Sequence, residues 1–419
     1  MIVQRRNPKE PSNTDELKSL AESAGYVVVG SLEQVREPDA AYQIGRGKAE
    51  ELARLVKELD AERVIFDNAL KPVQSYNLAK ATNVEAIDRF RLILEIFARR
   101  ASRKEAKLQI DLARLRYQLP RARESVRLAR MGEQPGFMGL GRYEVDVYYE
   151  AIKRQISHIR RELGKIRSKR GLHRARRVEL GFSLVSLAGY TNAGKSTLFN
   201  TLTRESVPVD SGLFTTLSTT TRAVSLAGKR ALLTDTVGFI DRLPLVLVEA
   251  FHATLEETIF SNAIVLVVDI HEPLPEVRRK LSTCLNTLRE IGAAGIPMVT
   301  AFSKIDLLTR RELDDRLSKL EGLSPNPVAV SALTGMNLDE LEEAVSGHLE
   351  NYVVASFVLP LGEESMALIS ELHNQAEVLE TWYEDKAVRI RLLALSWFMA
   401  KVKRRVEELG GRLTGYEAA

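Results

Sequence analysis

Apolar residues recur along two stretches at the alternating spacing of four and three residues that gives a helix one buried stripe. The first holds Leu108, Leu112, Leu115 and Leu119; the second holds Val145, Tyr149, Ile152, Ile156, Ile159, Leu163 and Ile166. Pro120 predicts the end of the first helix, and the Gly-, Arg- and Met-rich residues 121–142 predict the tip of an antiparallel helical hairpin. Ahead of it, strand-like residues 25–30, 42–45, 64–67 and 84–88 alternate with helical residues 48–59 and 72–81, the pattern of a small parallel α/β unit. Behind it, apolar runs at 182–188, 230–234, 296–302 and 327–330 predict strands of a mostly parallel sheet. The last stretch reads as strand 355–359, helix 363–376, a hairpin of 378–383 with 387–395, and helix 396–409. Gly410 and Gly411 punctuate its end. The expected class is therefore α/β, with four domains: an α/β unit over 1–87, the hairpin over 88–178, a central α/β domain over 179–350, and an α+β domain over 351–419 that permits a ferredoxin-like half.

The central domain carries the chemistry. Gly189, Tyr190, Thr191, Asn192, Ala193, Gly194, Lys195 and Ser196 spell G-x-x-x-x-G-K-S between a strand and a helix opening at Thr197. In that setting backbone N–H groups cradle phosphates, Lys195 reaches the β and γ oxygens, and the Ser196 hydroxyl is a hard ligand for Mg²⁺. The run Asp235, Thr236, Val237, Gly238 follows the strand 230–234. Asp235 is placed to hold Mg²⁺ through water, and the Gly238 N–H to sense a γ-phosphate. Between them Phe214, Thr215, Thr216, Leu217 and Ser218 form the expected switch loop, with Thr216 completing the metal shell. The expected metal ligands are thus Ser196, Thr216 and Asp235, and the expected catalytic groups are Lys195, Thr216 and Gly238.

The base is specified by Ser303, Lys304, Ile305 and Asp306. A carboxylate at Asp306 accepts from N1–H and N2–H₂ of guanine, a donor pair that adenine lacks, so the substrate is expected to be GTP. Lys304 lays its stem along the base, and Ser331, Ala332 and Leu333 bring a backbone N–H toward O6. These elements all stand at carboxyl ends of strands, where ligands of open α/β sheets bind. Glutamine, which orients water beside the switch glycine in Ras-like enzymes, is replaced by Phe239. Turnover without a partner is expected at or below roughly 10⁻³ to 10⁻² s⁻¹. Arg222, Arg242 and His252 lie in or near the switches, where surface or packing roles suit them better than catalysis.

Composition adds location and partner. With 45% apolar and 28% charged residues in 419, the chain can bury several cores. Cys284 alone excludes an intrachain disulfide framework and suits a reducing cytoplasm as a small buried hydrophobe. No apolar run approaches membrane-spanning length and the first residues lack a signal-peptide core, so a soluble, monomeric protein is expected. Net charge is only +4, yet residues 91–178 hold 24 Lys and Arg against 9 Asp and Glu. Such a concentrated excess marks an anionic partner, above all nucleic acid. Arg121, Arg123, Arg127, Arg130, Met131, Phe137, Met138 and Arg142 at the tip suit RNA phosphates and an unstacked base. Gly45, Arg46, Gly47 and Lys48 are read as a plain strand-to-helix turn.

Residues 179–350 resemble a translation-factor-type GTPase domain. The string from Asp235 to Pro244, then Ala250, Phe251, Thr254, Leu255, Glu256 and Glu257, resembles the HflX family in particular, as do Tyr42, Ile44, Gly45, Gly47, Lys48, Glu50 and Glu51. The resemblance implies a Mg²⁺-dependent GTPase, binding GTP and GDP, whose hairpin tip enters the large ribosomal subunit near its catalytic centre and contacts its RNA. It also implies a task in splitting or rescuing stalled ribosomes. Three positions depart from the family pattern. Ser303 replaces the usual Asn, Ser218 and Thr219 replace Asp-Pro, and residues 136–144 replace a Gly-Pro-Gly-Glu-Thr string, which marks an archaeal-type branch. The residues leave open an RNA-remodelling NTPase with ATP in the N-terminal unit, and a switch whose hairpin binds protein helices.

Overall fold

The computed structural model describes residues 1–8, 10, 12–130, 142–179, 183–204, 220–240, 257–349 and 352–418. They form two compact units, the first holding Met1–Arg167 and the second beginning at Ser168. Among the described residues no helix is long and apolar enough to cross a membrane.

In the first unit β1 (Ile2–Arg6), β2 (Ser31–Val35), β3 (Arg63–Phe66) and β4 (Glu85–Asp88) form a parallel sheet in the order β2-β1-β3-β4. Helices α1 (Thr14–Ser23), α2 (Arg46–Glu58), α3 (Pro72–Thr82) and α4 (Arg89–Arg100) accompany it. Two expected strands are corrected. Residues 25–30 carry a β-branched run, but Val27 is 85% exposed and ladder pairing with β1 begins only where Gly30 accepts from the Ile2 N–H. Residues 42–45 contribute one isolated bridge, between Asp39 and Gln43, before the helix opens at Arg46.

The hairpin consists of α5 (Lys104–Arg130) and α6 (Arg142–Glu179). Leu112, Leu115 and Ala122 on α5 pack with Ile152, Ile156 and Ile159 on α6, and Leu108, Leu119, Tyr149 and Leu163 flank them, so the heptad seam is the core between the helices. Pro120 does not stop α5. It lies on the exposed side of the helix, where losing one N–H is tolerable, while Leu119 and Ala122 on either side hold the seam. Residues 131–141 of the expected tip, with Met131, Phe137 and Met138, lie outside the described residues.

Against the middle of α5 the buried carboxylate of Asp88 caps α4 through the Arg91 N–H (3.0 Å), accepts the Leu70 N–H (3.2 Å) and receives the Tyr117 hydroxyl. Tyr117 stacks on Phe90 with centroids 4.4 Å apart, and the Arg121 guanidinium lies 3.5 Å over its ring. Burial first, and the Asp88 charge second, push the Tyr117 phenol well above its ordinary pKa, so it remains a hydrogen-bond donor.

The second unit is built on β5 (Ser183–Gly189), β6 (Thr220–Leu226), β7 (Lys229–Asp235), β8 (Ala263–Asp269), β9 (Met298–Ser303) and β10 (Pro327–Ala329), in the order β10-β9-β8-β5-β7-β6. All neighbours are parallel except β6 with β7. The central strand β8 is buried at all seven positions, as a strand covered on both faces must be. Its helices include α7 (Lys195–Thr203), α8 (Leu274–Glu290), α9 (Arg310–Leu320) and α10 (Leu338–Ser346).

The C-terminal part contains β11 (Tyr352–Pro360), α11 (Glu363–Gln375), β12 (Glu377–Glu384), β13 (Ala387–Leu395), α12 (Ser396–Glu408) and β14 (Arg412–Ala418), with sheet order β12-β13-β11-β14. This βαββαβ path is a whole ferredoxin-like sandwich. Gly410 and Gly411 therefore do not end the domain; they turn α12 into β14. Gly410 takes φ +74°, and a Cβ on Gly411 would come within 2.6 Å of the Val358 carbonyl. Tyr352 and Leu393 from this sheet join the core of the central domain.

Candidate nucleotide site

The parallel strands deliver the site at their carboxyl ends. Gly189 closes β5, Asp235 closes β7, Ser303 closes β9, and Ser331 follows β10 by two residues. Gly189 sits at φ +146°, and any Cβ there would lie 2.2 Å from the Val267 carbonyl, so only glycine lets the loop leave β5 this close to β8. Asn192 and Gly194 also take positive φ, curling residues 189–196 so that the amino end of α7 faces the enclosed space.

Lys195 is 7% exposed, and its ammonium donates to the carbonyls of Gly189 (3.2 Å) and Tyr190 (2.7 Å). Burial lowers its pKa, and the nearby Asp235 charge opposes that shift. The Ser196 hydroxyl donates to Asp235 Oδ2 at 2.8 Å. Both are buried oxygen donors beside a helix amino end, and this all-oxygen set fits Mg²⁺. Thr236 turns the other way: its hydroxyl donates to the Leu187 carbonyl at 2.6 Å and ties β7 to β5.

After Asp235 the chain comes back against the phosphate loop. The Phe239 N–H donates to the Gly189 carbonyl (3.0 Å), and the Phe239 carbonyl accepts the Thr191 N–H (2.9 Å), a parallel bridge with Tyr190 at its centre. A Cβ on Gly238 would meet Thr191 at 2.9 Å and Lys195 Nζ at 3.0 Å, so a glycine is needed here for closeness. Val237 is buried beside it, and Phe239 is 2% exposed. Residues 205–219 and 241–256 lie outside the described residues, and with them Phe214, Thr215, Thr216, Leu217, Ser218, Arg242 and His252. Arg222 is exposed on β6.

The elements expected to read the base converge from two strands. The Ser331 hydroxyl donates to Asp306 Oδ1 at 2.6 Å, aiming the carboxylate, while Ile305 is buried beneath it. Ser331 is held in a tight turn, its N–H donated to the Met336 carbonyl and its own carbonyl accepting from Gly335. Ala332 is fixed by Thr201 of α7, whose hydroxyl donates to its carbonyl at 2.8 Å, and Leu333 is 79% exposed. Lys304, at φ +62°, pairs with Asp269 at 2.7 Å. Asp269 went unnoticed in the sequence, although a carboxylate at the end of the all-apolar run Ala263–Asp269 was a legible signal. Tyr190 was noticed only as a loop position; its buried ring lies against Lys280 and Arg279 of α8, 4.9 and 5.8 Å from the cations. Cys284 on the same helix is buried, its thiol pushed up to about 12 chiefly by burial, and is inert packing.

A phosphate-loop sequence at a strand-to-helix turn, a carboxylate hydrogen-bonded to its serine, and a second carboxylate held by Ser331 at the same edge of a parallel sheet define the class of P-loop GTPases. Three family models match in succession: GTP-binding GTPase N-terminal over residues 11–98, GTP-binding GTPase Middle Region over 100–177, and 50S ribosome-binding GTPase over 184–304. The chain is 41% identical to GTPase HflX of Thermococcus kodakarensis, covering 97% of this chain and 94% of that one. It is 44% identical to GTPase HflX of Methanocaldococcus jannaschii over 92% and 94%, and 35% identical to that of Escherichia coli over 93% and 92%. A GTP-binding protein from Sulfolobus solfataricus, solved in complex with GDP, aligns at 27% identity and a TM-score of 0.45 over 83% of this chain and 98% of that one. The chain belongs to the HflX family of GTPases: it binds GTP and hydrolyses it, and it resembles the archaeal members more than the E. coli protein.

Proposed function

We propose that this GTPase binds the large ribosomal subunit through its hairpin in the GTP state and leaves after hydrolysis, acting on stalled ribosomes in the cytoplasm. The observation that carries the reading is the hairpin surface. The apolar stripes of its two helices are consumed in the seam, Val147 and Tyr148 apart, and Arg103, Lys107, Arg114, Arg154, Arg160, Arg161 and Arg167 stand exposed on the outside. Such a surface suits the phosphates of structured RNA. The match of residues 184–304 to a model described as a 50S ribosome-binding GTPase supports the same partner.

In this reading Lys195 and the amino end of α7 bind and orient the β and γ phosphates, and the Gly238 N–H meets the γ-phosphate. Ser196 and Asp235, with Thr216, would hold Mg²⁺, whose charge neutralises the phosphate oxygens. Asp306 and the turn at Ser331 select guanine. Phe239 offers no hydrogen bond to water from its ring, so turnover is slow until a partner orders the switch or lends a group.

Sedimentation with purified large subunits tests this. The protein is expected to pellet with them preferentially when loaded with a non-hydrolysable GTP analogue, and the subunits to raise GTP turnover more than about tenfold. Deleting the tip residues 131–141, which leaves Arg121 and Ala122 in place, is expected to abolish both effects. Equal sedimentation with and without nucleotide, together with unchanged turnover, would contradict the proposal.

A further inference from the structure

We infer that this enzyme recognises guanine without contacting N7, because the only proton of the Ser303 hydroxyl is committed to the phosphate loop. The inference rests on the guanine-reading role of Asp306 proposed above. Ser303 Oγ lies 2.7 Å from the Ala193 carbonyl and 3.2 Å from the Val268 carbonyl, and the residue is 3% exposed. A hydroxyl has one hydrogen. Two buried carbonyl oxygens already compete for it, and turning it toward a base nitrogen would leave the Ala193 carbonyl without this donor.

The asparagine usual at this position carries two N–H bonds on one nitrogen, enough to hold the loop and address N7 together. Serine keeps the first task and gives up the second. The side chains around it do not take over: the Lys304 ammonium is paired to Asp269, and the Asp306 carboxylate is an acceptor that cannot serve N7, itself an acceptor. Base choice therefore falls on the Watson–Crick edge alone. The site discriminates through N1–H and N2–H₂ and tolerates change at position 7.

Competition binding with the full-length protein separates these contacts. 7-Deaza-GTP, in which carbon replaces N7, is expected to bind within about twofold of GTP, while ITP, which lacks the N2 amino group, binds about tenfold or more weaker. Ser303→Asn is expected to open a gap of about threefold to tenfold between GTP and 7-deaza-GTP. A wild-type preference for GTP over 7-deaza-GTP above about fivefold overturns the inference while leaving Asp306 intact, provided ITP remains weak. Equal binding of ITP and GTP would instead overturn the role of Asp306. The wild-type comparison decides the matter whether or not the variant folds.

Discussion

Asp306→Asn is expected to lower kcat/KM for GTP by about 10²- to 10³-fold and to make XTP the better substrate. Guanine offers the site two donors, and the asparagine amide answers with one acceptor and one donor, so an N–H is forced against an N–H. Xanthine replaces the C2 amino group with a carbonyl, which accepts what the amide donates. Ser331 sharpens this outcome. Its hydroxyl donates to Oδ1 at 2.6 Å and would favour the amide rotamer that keeps oxygen at that position. Steady-state rates with GTP and XTP check the result, and an unchanged GTP preference would show that another residue reads the base.

Lys195→Met is expected to reduce single-turnover GTP hydrolysis by about 10²- to 10³-fold, the cost of removing a charge aimed at developing negative charge. The ammonium also holds the carbonyls of Gly189 and Tyr190, so the variant loses a tie across the loop as well as the cation. Saturating Mg·GTP should raise the melting temperature of the wild-type protein by mass action and leave that of the variant almost unmoved. A variant that keeps both the thermal shift and the rate would place the phosphates elsewhere.

Sequence reading worked where chemistry is contiguous and failed where structure depends on distant partners. The phosphate loop is eight adjacent residues between a strand and a helix, and the hairpin seam repeats over several turns, although α5 runs on past the proline expected to end it. By contrast β1 reads Ile-Val-Gln-Arg-Arg, with only its first three residues buried, and β2 is an edge strand whose one buried residue is Leu32. Neither carries a local pattern strong enough to outweigh the valines at 27–29, which have high strand propensity but little to pack against. The final strand β14 follows two glycines and contains Gly415, so it exists because β11 offers it an edge.

Within the site the residue types were legible but their partners were not. Ser303 was visible as a departure from asparagine; that its hydroxyl reaches the Ala193 carbonyl depends on a contact 110 residues away. The pairing of Phe239 with the phosphate loop, and of Lys304 with Asp269, likewise arises from strand ends brought together by the sheet.

The central claim is that Mg·GTP binds at the carboxyl edge of this sheet, between the phosphate loop and Asp306. Calorimetric titration of the full-length protein with Mg·GTP and, separately, with Mg·ATP tests it most directly. The account predicts one GTP per chain, with ATP at least about 10²-fold weaker. Absence of GTP binding by the folded protein, or equal affinity for the two nucleotides, would contradict it.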